Sequence, residues 1–116
     1  MKRPWQITNE SEWLRDCEEI VRAAKGILDG SICITEGARR LRRLGAGVRA
    51  EDDEDFLVFT GIDSDTDAFP LGDVRSRWSV SALARADSER EDVEAHWRPH
   101  AEEAARNLVS KYETAA

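Results

Sequence analysis

A chain of 116 residues has room for one domain, residues 1–116, and for no second sizeable core. Hydrophobic residues make up 41%, enough to build that core, and the balance of 24 Asp and Glu against 17 Lys and Arg leaves a net charge of −7. That balance argues against a dedicated DNA or RNA binder, and no apolar run approaches the roughly 18–20 residues of a membrane helix.

The segment Met1–Trp5 carries no apolar leader core, and Cys17 and Cys33 are too few for a disulfide scaffold. The expectation is a cytoplasmic protein with reduced thiols. Thr8, Asn9 and Ser11, with Glu10 and Glu12, suit the positive end of a helix. Trp13, Leu14, Cys17, Ile20, Val21, Ala24, Ile27 and Leu28 then form one apolar stripe, with the charged residues outside it. This predicts a first helix from about residue 9 to about residue 29, stopped by Gly30.

Ser31 opens a second helix whose face reads Ile34, Ala38, Leu41 and Leu44, ended by Gly45-Ala46-Gly47. Gly37 inside it costs about 1 kcal/mol of helix propensity, which points to close packing against the first helix. A short Asp29-Gly30-Ser31 turn makes the two an antiparallel hairpin. Arg39, Arg40, Arg42 and Arg43 suit the helix's C-terminal dipole. They could touch nucleic acid, but the acids that follow eight residues later favour a solvated, partly paired helix end.

Glu51, Asp52, Asp53, Glu54 and Asp55 read as a solvated acidic run. The tetrad Phe56-Leu57-Val58-Phe59 suits either a helical turn or a short buried strand. The helical segment is preferred, because no second strand is in view to pair with it. Residues 60–78 read as a long ordered loop, pinned by Ile62, Phe69, Leu71, Val74 and Trp78. Ser79 caps a short turn through Val80, Ala82 and Leu83. Asp87 or Ser88 caps the last helix, whose face runs from Val93 and Trp97 to Leu108, Val109 and Tyr112. Pro99 inside it predicts a kink or a restart. The fold class is therefore all-α: a small helical bundle with an N-terminal antiparallel hairpin, a long ordered loop and a kinked C-terminal helix.

Candidate chemistry is sparse. Asp63, Asp65 and Asp67 alternate as in the start of a calcium loop, but the sixth and twelfth positions hold Ala68 and Val74 where glycine and an acid are needed. Loop-structuring hydrogen bonds are the stronger reading. His96 and His100 have metal-ligand spacing, yet Trp97 stands where a zincin helix places glutamate, and no third ligand is in view. Cys17 and Cys33 read as packing residues. No metal and no cofactor is expected. Of the four tryptophans, Trp5, Trp13, Trp78 and Trp97, most should anchor the core.

Ser64-Asp65-Thr66-Asp67, then Pro70, Gly72, Arg75 and Trp78, resembles a motif S-E-T-D-x-x-P-x-G-x-x-R-x-x-W of a family of small uncharacterised bacterial proteins. Ile27-Leu28-Asp29-Gly30-Ser31 and Glu36 to Leu41 resemble the same family's I-L-x-G-x-I and E-G-A-R-x-L segments. The resemblance covers roughly residues 26–78 and departs at Asp65, where the pattern has glutamate. It implies no activity. Some members resemble immunity proteins found beside bacterial toxins. Physically, Arg75 can fork onto Asp67 or Asp65, with Pro70 and Gly72 setting the turn and Trp78 anchoring its end, so that the motif braces the loop.

Two functional readings follow. The first is a non-catalytic interaction protein, in its sharpest form an immunity protein whose acidic surface steers a basic, nuclease-type toxin. Its contact set is Glu51, Asp52, Asp53, Glu54 and Asp55 with Asp63 and Asp65, and Ser64 is loop-structuring with Asp67, Pro70, Gly72, Arg75 and Trp78. The alternative is a small metal-dependent or hydrolytic domain using Asp63, Asp65 and Asp67, with His96 or His100. A homodimer paired through helical faces is a third arrangement.

Overall fold

A computed structural model describes residues 2–114. Among them are four α-helices and one 3-10 segment, and no strand: α1 (Glu10–Asp29), α2 (Ile34–Gly47), α3 (Glu54–Thr66), the 3-10 segment Gly72–Arg77, and α4 (Val80–Glu113). The fold is an all-α bundle. Each helix packs on the next in the chain, and α4 closes the ring against α1.

α1 begins where the Asn9 side chain accepts the Glu12 N–H at 3.0 Å, and ends at Gly30, whose φ of +79° suits a residue without a Cβ. Its stripe buries Trp13, Cys17, Ile20, Ala23, Ala24 and Ile27. α2 runs back along it. A Cβ on Gly37 would sit 2.5 Å from Ile27, near the end of α1, and one on Gly47 would sit 3.0 Å from Asp16, near its start. The glycine inside α2 thus does serve close packing on α1. Cys33 caps α2, its Sγ accepting the Glu36 N–H at 3.4 Å.

α3 departs most from the sequence reading. The Phe56–Phe59 tetrad is helical, but the helix extends to Thr66 and takes in the first seven residues of the expected loop. Asp53 caps it, accepting the Asp55 N–H at 2.9 Å. The buried positions Phe56, Phe59, Ile62 and Thr66 then step by three, three and four. Beyond Phe59 the apolar signal thins to Ile62, among glycine, aspartate and hydroxyl residues with weak helix propensity. Only contact with α2 and α4 sustains the helix there. What remains of the loop, residues 67–78, is ordered by the 3-10 segment Gly72–Arg77.

The last helix also starts earlier than expected. Ser79, not Asp87 or Ser88, is its N-cap, accepting the Ala82 N–H at 3.1 Å, so the short turn at residues 80–83 is its first turn. α4 continues without a restart through Pro99. Its 34 residues, at about 1.5 Å each, match the molecule's longest dimension of 49 Å. Pro99 is exposed, so water can serve the carbonyl that its missing N–H leaves free.

The core lies between the C-terminal half of α4 (Ala101, Ala104, Ala105, Leu108, Tyr112) and the inner faces of α1, α2 and α3. Phe56 and Tyr112 meet edge to face at 5.9 Å. Of the tryptophans, only Trp13 is fully buried; Trp97 packs on the core's edge, Trp78 is partly exposed and Trp5 is 86% exposed. No helix among the described residues is long and apolar enough to cross a membrane.

Candidate functional site

Between Glu51 and Asp73 the chain carries nine acids and no Lys or Arg. The fold holds this acidic segment by brackets at both ends and leaves part of it free. At the start of α3, Asp55 is buried and accepts from Lys111 Nζ at 2.6 Å and from Asn107 at 3.1 Å. Asp53 accepts from the same lysine at 3.1 Å. The hydrogen bond to Asp55, and then that to Asp53, raises the Lys111 pKa above its ordinary value. These two members of the expected contact set are engaged within the fold. Glu51, Asp52 and Glu54 are exposed and have no ion pair among the described residues.

At the other end of α3 the bracket is made by α2. Arg42 pairs with Asp63 at 2.8 Å, with Arg39 Nε 3.8 Å from the same carboxylate. Arg39 Nη2 also donates to the carbonyls of Thr66, at 3.0 Å, and Phe69, at 2.8 Å. The Thr66 carbonyl ends α3 and also accepts the Phe69 N–H at 3.1 Å, and the guanidinium ties it to the Phe69 carbonyl of the turn that follows. The arginine cluster is therefore largely spent inside the fold, with Arg40 paired to Glu36. Asp65 accepts from the Trp97 indole Nε1 at 2.9 Å, so the shorter side chain at this position reaches a partner on α4. Ser64 and Asp67 are exposed. The three alternating aspartates do not converge: Asp63 turns to α2, Asp65 to α4, and Asp67 caps the end of α3.

The motif's second half is a brace with a different partner from the one expected. Arg75 forks onto Asp87, both bonds at 2.8 Å, rather than onto Asp67 or Asp65, and also donates to the Pro70 carbonyl at 3.1 Å. Because α4 begins at Val80, Asp87 is two turns inside it and faces the 3-10 segment. The Arg75 hydrogen bond holds the Asp87 carboxyl below the usual carboxylate range, and Asp87 in turn raises Arg75. Gly72 takes φ +70°, and the Trp78 N–H closes the 3-10 segment onto the Arg75 carbonyl at 3.1 Å.

The brace continues into the bundle. Arg90 lies 3.8 Å from Asp87 and 3.3 Å from Glu94. Glu94, 5% exposed, accepts the Thr35 N–H at 2.9 Å and its hydroxyl at 2.7 Å. A carboxylate of α4 thus serves the orphan donors at the start of α2, where the helix dipole favours negative charge. Asp87, Arg90 and Glu94 at steps of three and four are a legible ion-pair row on one helix face. The sequence reading missed them because it placed the helix cap at Asp87 or Ser88, and so did not put Asp87 on a helix face. Nothing in the sequence marks Thr35 as their endpoint.

His96 and His100 are exposed and flank Trp97, each ring 6.1 Å from the indole. No group of three or more His, Cys, Asp or Glu among the described residues is arranged to hold a metal ion. Cys17 is fully buried, and burial pushes its thiol up to about 11.

A family model described as a protein of unknown function, DUF2489, matches residues 6–108. The chain belongs to that family. The DUF2489 match takes in the helical hairpin, the acidic segment, the brace and most of α4; of the bracketing residues named above, only Lys111 lies outside it. No curated protein matches the chain, and no solved structure does.

Proposed function

We propose that this protein is a non-catalytic interaction protein whose acidic α3 edge receives a basic protein partner. Its sharpest form is an immunity-type protein that occludes a nucleic-acid-cleaving toxin. The observation that carries the reading is the division of labour within the acidic segment. The fold neutralises Asp53, Asp55 and Asp63 with Lys111, Arg42 and Arg39, and it leaves Glu51, Asp52 and Glu54 exposed, with Glu54 lining a cleft shared with His100, Glu103 and Asn107. A rigid, uncompensated acidic edge raises the encounter rate with a basic surface and suppresses acidic competitors.

The test is retrieval from lysate of the source cells, with the intact protein and with Glu51→Lys/Asp52→Lys/Glu54→Lys as paired baits. A basic protein held by the first and lost from the second supports the reading. Identical partners on both baits, or none on the intact protein, overturn it. For the immunity form, co-expression with the retrieved protein should restore growth to cells that the partner alone arrests; growth that stays arrested would contradict it.

A further inference from the structure

Beyond the α3 edge, a second surface feature has a chemistry of its own. α4 and the end of α3 enclose an open cleft of about 350 Å³ lined by Asp65, Asp92, Val93, His96 and Trp97. Trp97 is fixed there from two sides. Its six-membered ring lies against α3, where a Cβ on Gly61 would stand 3.1 Å away, and its Nε1 is held by Asp65. Asp65 uses one oxygen for that bond, and its other oxygen has no partner among the described residues. Asp92 is exposed and has neither an ion pair nor a hydrogen bond from a side chain there. The cleft therefore presents an immobilised indole, an apolar floor at Val93 and two carboxylates with free acceptor capacity. None of its lining residues is Lys or Arg.

We infer that this cleft receives an arginine side chain of the basic partner, its guanidinium stacked on Trp97 and hydrogen-bonded to Asp92 and the free oxygen of Asp65. The charge of the walls selects a cation. An indole surface beside carboxylate oxygens suits a planar, forked, weakly hydrated guanidinium better than the compact, strongly hydrated ammonium of lysine. The inference rests on the reading of the protein as a receptor for a basic partner, and it adds a specific anchor that the α3 edge lacks.

Arginine is the probe, supplied as N-acetyl-arginine amide to the intact, 15N-labelled protein, with the citrulline analogue as the uncharged control of equal shape. The four tryptophans give four indole N–H signals, and that of Trp97 is the one lost in Trp97→Phe. The expected result is a saturable shift of the Trp97 signal by the arginine compound, no comparable shift by citrulline, and binding weakened about fivefold in Asp92→Asn, the loss of one exposed charge contact. An unmoved Trp97 signal, equal shifts by both compounds, or unchanged binding in Asp92→Asn overturns the inference. The two proposals fail separately. A partner bound by Asp92→Asn as tightly as by the intact protein, but lost from the Glu51/Asp52/Glu54 reversal, removes the arginine cleft and keeps the acidic edge.

Discussion

Replacing Glu94 by alanine would remove the carboxylate on which the internal brace converges. Glu94 is 5% exposed and accepts from the Thr35 N–H, the Thr35 hydroxyl and Arg90. Its loss leaves a guanidinium with only 15% of its side chain exposed, already carrying an unpartnered Nε, with Asp87 alone at 3.8 Å. It also orphans two donors at the start of α2. Breaking a buried ion pair by removing one partner costs about 3–5 kcal/mol. With an unfolding entropy of about 2.1 cal/mol/K per residue, a chain of this length should lose roughly 12–20 °C in Tm. The double variant Glu94→Leu/Arg90→Met removes the stranded charge as well, and it should recover about 2 kcal/mol of that loss while Thr35 stays unserved. Thermal unfolding followed by circular dichroism measures both. A loss below about 1 kcal/mol for the single variant, or a double variant no better than the single, would refute a brace built on this carboxylate.

Three further predictions concern other parts of the bundle. Arg75→Ala should lower Tm by several degrees while leaving partner binding intact; unchanged Tm with lost binding would make Arg75 a contact residue instead. The folded Asp87 pKa lies below its ordinary 3.8, so this contribution is complete above that value and lost as the pH falls through the folded pKa. The Tm gap between the intact protein and Arg75→Ala should therefore close below pH 3.8. On the alkaline side the sign reverses: Cys17 is raised from 9.0 to about 11, Tyr112 from 10.0 to about 12 and Lys111 above 10.5. Stability is thus complete below about pH 9 and falls as pH rises through these values, the thiol alone accounting for about 2–3 kcal/mol. Cys17→Ala should flatten the Tm profile between pH 9 and 11, and an unchanged slope would contradict the assignment. Gly45→Ala would place a methyl group 2.6 Å from the Phe56 ring, which Tyr112 backs, and should cost about 1–3 kcal/mol in urea unfolding.

The fold class was legible because α1 and α2 carry apolar stripes at helical spacing and end at glycines. The end of α3 was not. Its buried face past Phe59 is only Ile62 and Thr66, and its terminal Thr66 carbonyl accepts from an arginine 27 residues upstream, which no local pattern discloses. The motif's bracing role was foreseeable from Arg75, Pro70 and Gly72. The partner was not, since choosing Asp87 over Asp67 depends on where α4 begins. The acidic run looked uniform in sequence, yet the fold divides it. Asp53 caps a helix and Asp55 is buried under Lys111, whereas Glu51, Asp52 and Glu54 face solvent. The cleft at Trp97 was invisible for a similar reason, being formed by residues of two helices brought together only by packing at Gly61.

If the exposed carboxylates of Glu51, Asp52 and Glu54 draw in a basic partner, the association rate of the retrieved partner must depend on ionic strength. The rate should fall steeply as salt is raised, with both rate and slope reduced in Glu51→Lys/Asp52→Lys/Glu54→Lys. A rate indifferent to salt, and the same in both proteins, would contradict it.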